Sequence, residues 1–171
     1  YRARPVPGSS IAFKLEVKGL KGGHSGDDIN KGHGNSNKIL NRFLWNATRK
    51  FNIRLSKFDG GNLRNAIPRE AYAIVTVKEK YIVAFEKYFS NFCKMIFNEY
   101  QGVEKKMAFE FNKIPNPRYV LKMKDQMNLL NSVYACPNGV IAMSHSIEGL
   151  VETSTNLASV KFYEGNIIEL V

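Results

Sequence analysis

The chain has 171 residues, of which 44% are hydrophobic and 23% are charged, proportions that are typical of a globular protein. A chain of this length buries about 70% of the surface that its unfolded form exposes, so a single domain with a substantial core is expected. No apolar run approaches the roughly 18 residues that a membrane-spanning helix needs. Two cysteines, Cys93 and Cys136, are too few for a disulfide framework, which favours a reducing, cytoplasmic location.

The formal net charge of +10 raises the question of nucleic acid binding, because clustered lysines and arginines bind phosphates. The 25 basic residues are scattered along the chain and form no continuous basic block. Such a charge could equally form a solvated face or complement an acidic partner domain. Charge alone therefore leaves the class of partner open.

The apolar positions alternate between the two-residue period of strands and the 3.6-residue period of helices. Alternation over residues 11–17 predicts a strand. The apolar stripe from Ile39 to Phe51 predicts a helix that Asn35 or Ser36 caps. Further elements are predicted as strands around 53–55, over 71–77 and over 107–111, and as a second helix over 82–100.

The resulting order, β-α-β-β-α-β, predicts an α+β, ferredoxin-like domain with an antiparallel sheet and both helices on one face. After Pro115 and Pro117, a third helix from Met123 and strands near 140–143 and 156–162 predict a C-terminal α/β extension. We expect one domain over 1–171, divided into a linker (1–10), a ferredoxin-like core (11–114) and the extension (115–171).

The glycine-rich stretch over residues 21–34 contains His24, His33, Asp27 and Asp28. A zinc site needs three or four converging ligands, but the chain has no His-x-Asp or Cys-x-x-Cys motif, and no nucleotide-binding glycine motif is complete. A histidine on such a loop, beside unpaired backbone N–H groups ahead of a helix, could instead bind an anion or an oxyanion. The alternative is a turn with no function.

A second group of polar side chains follows the predicted turn at residues 60–62. Arg64, Asn65 and Arg69 flank Ile67-Pro68 at the entrance to the next strand. An asparagine and an arginine there could hold a substrate amide and a carboxylate. The alternative is a solvated turn.

Three motifs, in the right order and spread over residues 12 to 162, resemble the aminoacyl-histidine dipeptidases. They are Gly22-Gly23-His24-Ser25-Gly26-Asp27-Asp28-Ile29 with Gly34-Asn35, Gly60-Gly61 with Asn65-Ala66-Ile67-Pro68, and Gly149-Leu150-Val151-Glu152-Thr153-Ser154 with Asn156-Leu157. These enzymes are also called Xaa-His dipeptidases or bacterial cytosolic non-specific dipeptidases. They belong with carnosinase and carboxypeptidase G to a superfamily of di-zinc hydrolases.

The resemblance implies a two-domain metallo-dipeptidase in which a ferredoxin-like lid or dimerisation domain is inserted into a catalytic domain that binds two zinc ions. This chain resembles the lid alone, because the family's His-x-Asp and Glu-Glu metal motifs are absent from it, and both of its ends fit an excised insert. It is therefore expected to hold no metal or cofactor and to be inactive by itself. The implied partners are its own catalytic domain, a second copy in a homodimer and a dipeptide substrate, but neither a membrane nor nucleic acid.

The resemblance also implies roles for single residues. His24 matches the lid histidine that stabilises the oxyanion of the tetrahedral intermediate, often across a dimer interface, and Asn65 matches a lid asparagine associated with substrate binding. Weaker substrate-binding roles are implied for Arg64 and Arg69, which compete for the substrate carboxylate, and for Ser154 and Asn156, whose segment is expected to face the cleft. His33 is expected to be structural.

Two alternatives to the dipeptidase lid stay open from the sequence. One is a stand-alone basic ferredoxin-like module that binds nucleic acid, and the other is a pure dimerisation module in which the loop histidine is incidental.

Overall fold

Twelve strands and three helices make up the computed structural model, which describes residues 1–171. The strands are β1 (Ala3–Pro5), β2 (Ser10–Lys18), β3 (Gly23–His24), β4 (Arg54–Gly60), β5 (Ala66–Ile67), β6 (Ala71–Lys78), β7 (Ala108–Ile114), β8 (Tyr119–Leu121), β9 (Gly139–Met143), β10 (Val151–Thr155), β11 (Val160–Tyr163) and β12 (Ile167–Leu170). The helices are α1 (Ser36–Phe51), α2 (Ile82–Tyr100) and α3 (Met123–Ala135). None of the three helices combines the length and the apolar character that crossing a membrane requires.

A six-stranded antiparallel sheet in the order β12-β11-β4-β6-β2-β7 organises the fold. Its last four strands, with α1 and α2, have the order of a ferredoxin-like sheet, so the predicted fold class is confirmed. Strand β6 lies between β4 and β2, where both of its edges are paired, and this explains why its sequence is β-prone on both faces.

The core lies between this sheet and the helices and is rich in phenylalanine. Phe43 of α1 contacts Phe85, Phe89 and Phe92 of α2, and its ring meets that of Phe89 edge to face with the centroids 5.1 Å apart. Edge-to-face pairs of this kind add stabilisation beyond the area they bury. Helix α1 begins where the Asn35 side chain accepts a hydrogen bond from the Lys38 N–H, so one of the two predicted caps is confirmed.

The buried side chain of Gln126 attaches α3 to α1 and β4. Its Oε1 accepts from the Leu55 N–H at 2.9 Å, and its Nε2 donates to the Thr48 hydroxyl at 2.9 Å and the Ile53 carbonyl at 3.0 Å. A fully buried glutamine with three good partners satisfies backbone groups that the first residues of β4 would otherwise leave unpaired.

The strands of the C-terminal segment differ from the sequence-based expectation. The strand predicted over 156–162 begins only at Val160, and β10, just before it, was not predicted. β11 and β12 extend the ferredoxin-like sheet, because Val160 pairs with Gly60 at the edge of β4. At the other terminus, residues 3–5 form β1, which pairs with β8.

We predict that Gln126→Ala lowers the free energy of unfolding by about 2–4 kcal/mol, because it leaves three buried polar groups without partners. Urea denaturation monitored by circular dichroism measures this change. Asn128→Ala, at an exposed position of the same helix, is the matched control and should stay within about 0.5 kcal/mol of the parent chain. Equal effects of the two substitutions would contradict the role given to Gln126.

Candidate functional site

A short antiparallel ribbon joins the glycine-rich loop to the segment that follows β4. Gly23 of β3 lies opposite Ile67 of β5, and His24 lies opposite Ala66. The pairing continues one residue further, where the Ser25 N–H donates to the Asn65 carbonyl at 2.9 Å. The ribbon therefore places the backbones of the two polar groups predicted from the sequence side by side.

The imidazole of His24 is held in a defined orientation. Its Nδ1 accepts hydrogen bonds from the backbone N–H groups of Gly26, at 3.1 Å, and Asp27, at 3.3 Å. A neutral ring whose Nδ1 accepts carries its hydrogen on Nε2, so these bonds assign the tautomer. The Nε2–H has no partner within the chain, and the side chain is 52% exposed. The loop thus presents one free N–H donor.

The carboxylate of Asp28 holds the backbone of His24 in place. One oxygen accepts from the His24 N–H at 2.7 Å, and the other pairs with the Lys31 ammonium at 2.5 Å. The Lys31 hydrogen bond, followed by the bond from His24, holds the pKa of Asp28 below its usual range. Gly23 is required here, because its φ is +134° and a Cβ would lie 2.5 Å from the Asp28 carboxylate.

Glu104, which follows α2, anchors both ends of the glycine-rich loop. Its side chain is almost completely buried, and its oxygens accept from the Lys21 N–H at 2.7 Å and the Gly34 N–H at 2.8 Å. A buried carboxylate needs such partners to offset the loss of hydration. No local sequence pattern indicates this role, because Glu104 lies in a polar run and its partners are 83 and 70 residues away.

The other basic side chains near the loop differ in their surroundings. The Arg69 Nε donates to the Leu20 carbonyl at 3.0 Å, and its Cγ packs so closely over Gly22 that a Cβ there would lie 2.4 Å away. The His33 Nδ1 donates to the Gly22 carbonyl at 2.5 Å, so this ring supports the loop. Arg64 is exposed and makes no hydrogen bond or ion pair within the chain.

Amide side chains connect the ribbon to the C-terminal segment. The Asn156 Nδ2 donates to the Ala66 carbonyl at 2.8 Å, and its Oδ1 accepts from Asn35 at 3.3 Å. Asn35 also donates to Asn138, whose Oδ1 accepts from the Leu157 N–H as well. Both polar atoms of Asn156 are therefore occupied within the protein, whereas Ser154, in β10, is half-buried and makes no side-chain hydrogen bond. The role of Asn138 was missed from the sequence.

Other kinds of site lack the residues they need. The chain contains no group of three or more histidine, cysteine, aspartate or glutamate side chains that could hold a metal ion. Both cysteines are unpaired and half-buried, and burial raises the pKa of the Cys93 thiol to about 12. Because the thiolate is the nucleophilic form, Cys93 has no such role at neutral pH.

Among domains built on a ferredoxin-like sheet, this chain is of the dimerisation type found in peptidases. Residues 15–102 match the family described as "Peptidase dimerisation domain", and the chain belongs to this family. It is 39% identical over 162 residues to the cytosol non-specific dipeptidase of Escherichia coli (strain K12), covering 95% of this chain and 33% of that protein.

The structure is also similar to the crystal structure of aminoacylhistidine dipeptidase from Vibrio alginolyticus. The TM-score is 0.95 at 36% sequence identity, and the match covers 99% of this chain and 34% of that one. The resemblance to the aminoacyl-histidine dipeptidases is thereby confirmed. An amidase of the hydantoinase/carbamoylase family from Burkholderia multivorans shares the fold, with a TM-score of 0.51 at 11% identity.

The chain spans about a third of the length of the two dipeptidases that it matches. It corresponds to a part of those proteins, the part that contains the dimerisation domain.

We predict that Glu104→Gln loosens the glycine-rich loop, because the amide places an NH₂ group against one of two backbone N–H donors. The free energy of unfolding should fall by about 1.5–3 kcal/mol. The amides of Lys21 and Gly34 should lose protection from hydrogen exchange, which NMR measures residue by residue. Glu86→Gln, on the exposed face of α2, is the control and should change neither quantity. Unchanged exchange at both amides would contradict the anchoring role.

Proposed function

We propose that this chain is the lid and dimerisation domain of a zinc-dependent dipeptidase that hydrolyses Xaa-His and other dipeptides in the cytosol. The observation that carries the proposal is the free Nε2–H of His24, which the loop holds ready to donate. Membership of the peptidase dimerisation family and the names of the two dipeptidases support it. The 171-residue chain alone would be inactive, since it has no metal-binding group.

In the complete enzyme, two zinc ions bound by the catalytic domain would activate a water molecule for attack on the peptide carbonyl. The contribution of this chain is a hydrogen bond. The His24 Nε2–H donates to the carbonyl oxygen as negative charge develops on it, either within one protomer or across a dimer. A fixed donor of this kind needs no reorganisation during the reaction, and removing one costs on the order of 10²-fold or more in rate.

The surroundings of the other candidates favour a division of roles. Arg64 and Asn65 are exposed beside the histidine ribbon, so we assign the substrate carboxylate to Arg64 and further substrate contacts to Asn65. Arg69 already donates to the Leu20 carbonyl, and Asn156 is committed to Ala66 and Asn35, so both would position the loop and the ribbon. Ser154 keeps a free hydroxyl and remains a substrate-binding candidate.

We further propose that two copies associate through strand β7 and the neighbouring face of α2. β7 lies at the end of the sheet and pairs only with β2, so its outer edge has free N–H and C=O groups. Beside it, Phe97 of α2 is 41% exposed and packs edge to face on Phe109 of β7. A second copy could continue the sheet by antiparallel pairing and cover this ring.

We predict that His24→Ala in the full-length dipeptidase lowers kcat by about 10²-fold or more and changes KM much less, because the lost bond forms fully only in the transition state. Steady-state kinetics with an Xaa-His dipeptide measures both constants. His145→Ala, at an exposed position between β9 and β10, is the control and should behave like the parent enzyme. Unchanged kcat in His24→Ala would refute the oxyanion role.

For the dimer, we predict that Phe97→Asp weakens self-association at least about 30-fold, because it places a charge at the centre of an apolar contact. Sedimentation equilibrium over a range of concentrations gives the dissociation constant. Ile141→Asp introduces the same charge at an exposed apolar position of β9, outside the six-stranded sheet, and should leave association unchanged. If both variants dimerise like the parent protein, a different surface forms the dimer.

A further inference from the structure

A cleft at the opposite end of the sheet from the histidine loop is lined by three cations. Arg4, Arg54 and Lys78 surround a space of about 150 Å³ together with the neutral polar side chains of Ser10, Asn52 and Thr76. One water molecule needs roughly 10–15 Å³ of such space, so the cleft can hold a considerably larger ligand. No carboxylate lines it.

Arg54, the first residue of β4, is the central group of this cleft. Its Nη1 is buried and has no hydrogen-bond partner, and the side chain forms no ion pair. Burial, followed by the nearby positive charge of Arg4, lowers the pKa of the Arg54 guanidinium. Arg54 is half-buried, but a guanidinium nitrogen that is shut off from water without a partner is unfavourable, and a counter-ion would satisfy it.

The fold brings the other two cations to the same place. The pairing of β1 with β8 places Arg4 opposite Val120, and Lys78 ends β6 next to Ser10 of β2. Neither Arg4 nor Lys78 forms an ion pair within the chain. Elsewhere on the sheet, by contrast, lysines are neutralised by carboxylates, as in the pairs Lys14–Glu16 and Lys161–Asp59. Three positive charges are thus unpaired within this chain around one cavity.

We propose that this cleft binds a phosphate-type dianion, either inorganic phosphate or the phosphate group of a small monoester. Guanidinium groups match the geometry of phosphate oxygens in bidentate hydrogen bonds, and an ammonium adds a further charge. The Thr76 hydroxyl and the Asn52 amide line the cleft as neutral donors for the remaining oxygens, whereas the Ser10 hydroxyl donates to the Gly8 carbonyl at 3.4 Å. A monocarboxylate would neutralise only one of the three charges.

This site is independent of the proposed dipeptidase function. Strand β2 runs from Ser10, at the cleft, to Lys18, after which the chain enters the histidine loop. Nine residues of extended chain separate the two ends by about 25–30 Å. An anion in the cleft cannot contact a substrate at His24, so each proposal can fail without the other.

The test is a titration of the chain with inorganic phosphate, followed by isothermal calorimetry, with sodium chloride added to keep the ionic strength constant. We expect saturable binding with one phosphate per chain. Arg54→Gln and Arg4→Gln should each weaken it at least tenfold, whereas Lys87→Gln, at an exposed position of α2, should leave it unchanged. Equal binding of glycerol phosphate would identify a monoester site, and binding of phosphate alone would identify a site for the free ion.

Thermal unfolding distinguishes a variant that has lost phosphate binding from a variant that is merely less stable. In phosphate-free buffer, Arg54→Gln should melt at the same temperature as the parent chain or higher, because it removes a half-buried, unpaired charge. Phosphate should then raise the melting temperature of the parent chain but not of this variant. The proposal is overturned if binding does not saturate, if Lys87→Gln weakens it as much as the cleft variants do, or if malonate binds as tightly as phosphate.

Discussion

The buried carboxylate of Glu104 is the constraint on which the candidate site depends. By accepting one hydrogen bond from Lys21 and one from Gly34, it holds the two ends of the glycine-rich loop at the turn that follows α2. A loop with this much glycine has high conformational entropy, and its closure becomes favourable only because buried contacts fix its ends. The histidine is therefore presented by a rigid frame, although it stands on an intrinsically flexible segment.

Within that frame, the polar residues fall into those that hold the loop and those that remain free. Asp28, Arg69 and Asn156 use their polar atoms on backbone groups of the loop and the ribbon. The Nε2–H of His24 and the Arg64 guanidinium have no partner within the chain. The His24 ring is held in place while its Nε2–H has no partner, and such a group can act on a ligand, since an exposed donor exchanges water for substrate without breaking a protein contact.

The sequence predicted the periodic elements well and the anchoring residues poorly. The alternation over 11–17 and the stripe of α2 follow directly from burial of one face, and both elements lie where they were predicted. Asn138 and Glu104 carry no local pattern, because their partners are distant in the chain and meet them only after the sheet has formed. Residues 156–159 were predicted as strand, but the Asn156 side chain donates to the Ala66 carbonyl and the Leu157 N–H donates to the Asn138 side chain, and these bonds hold the residues outside the ladder.

The net charge of +10 is best understood from its distribution rather than its size. On the sheet face opposite the helices, lysines alternate with carboxylates in pairs such as Lys18–Glu110, so this face is close to neutral despite its many charges. At the end of the same sheet, around Arg54, no acid compensates the cations, and one nitrogen of the half-buried Arg54 guanidinium is shut off from water. A generally basic surface that attracts polyanions would leave its charges exposed to water, where ions screen them. Partial burial of the Arg54 guanidinium costs free energy, whereas a basic surface whose charges are fully hydrated carries no such cost. This cost distinguishes a cleft that binds an anion from a generally basic surface.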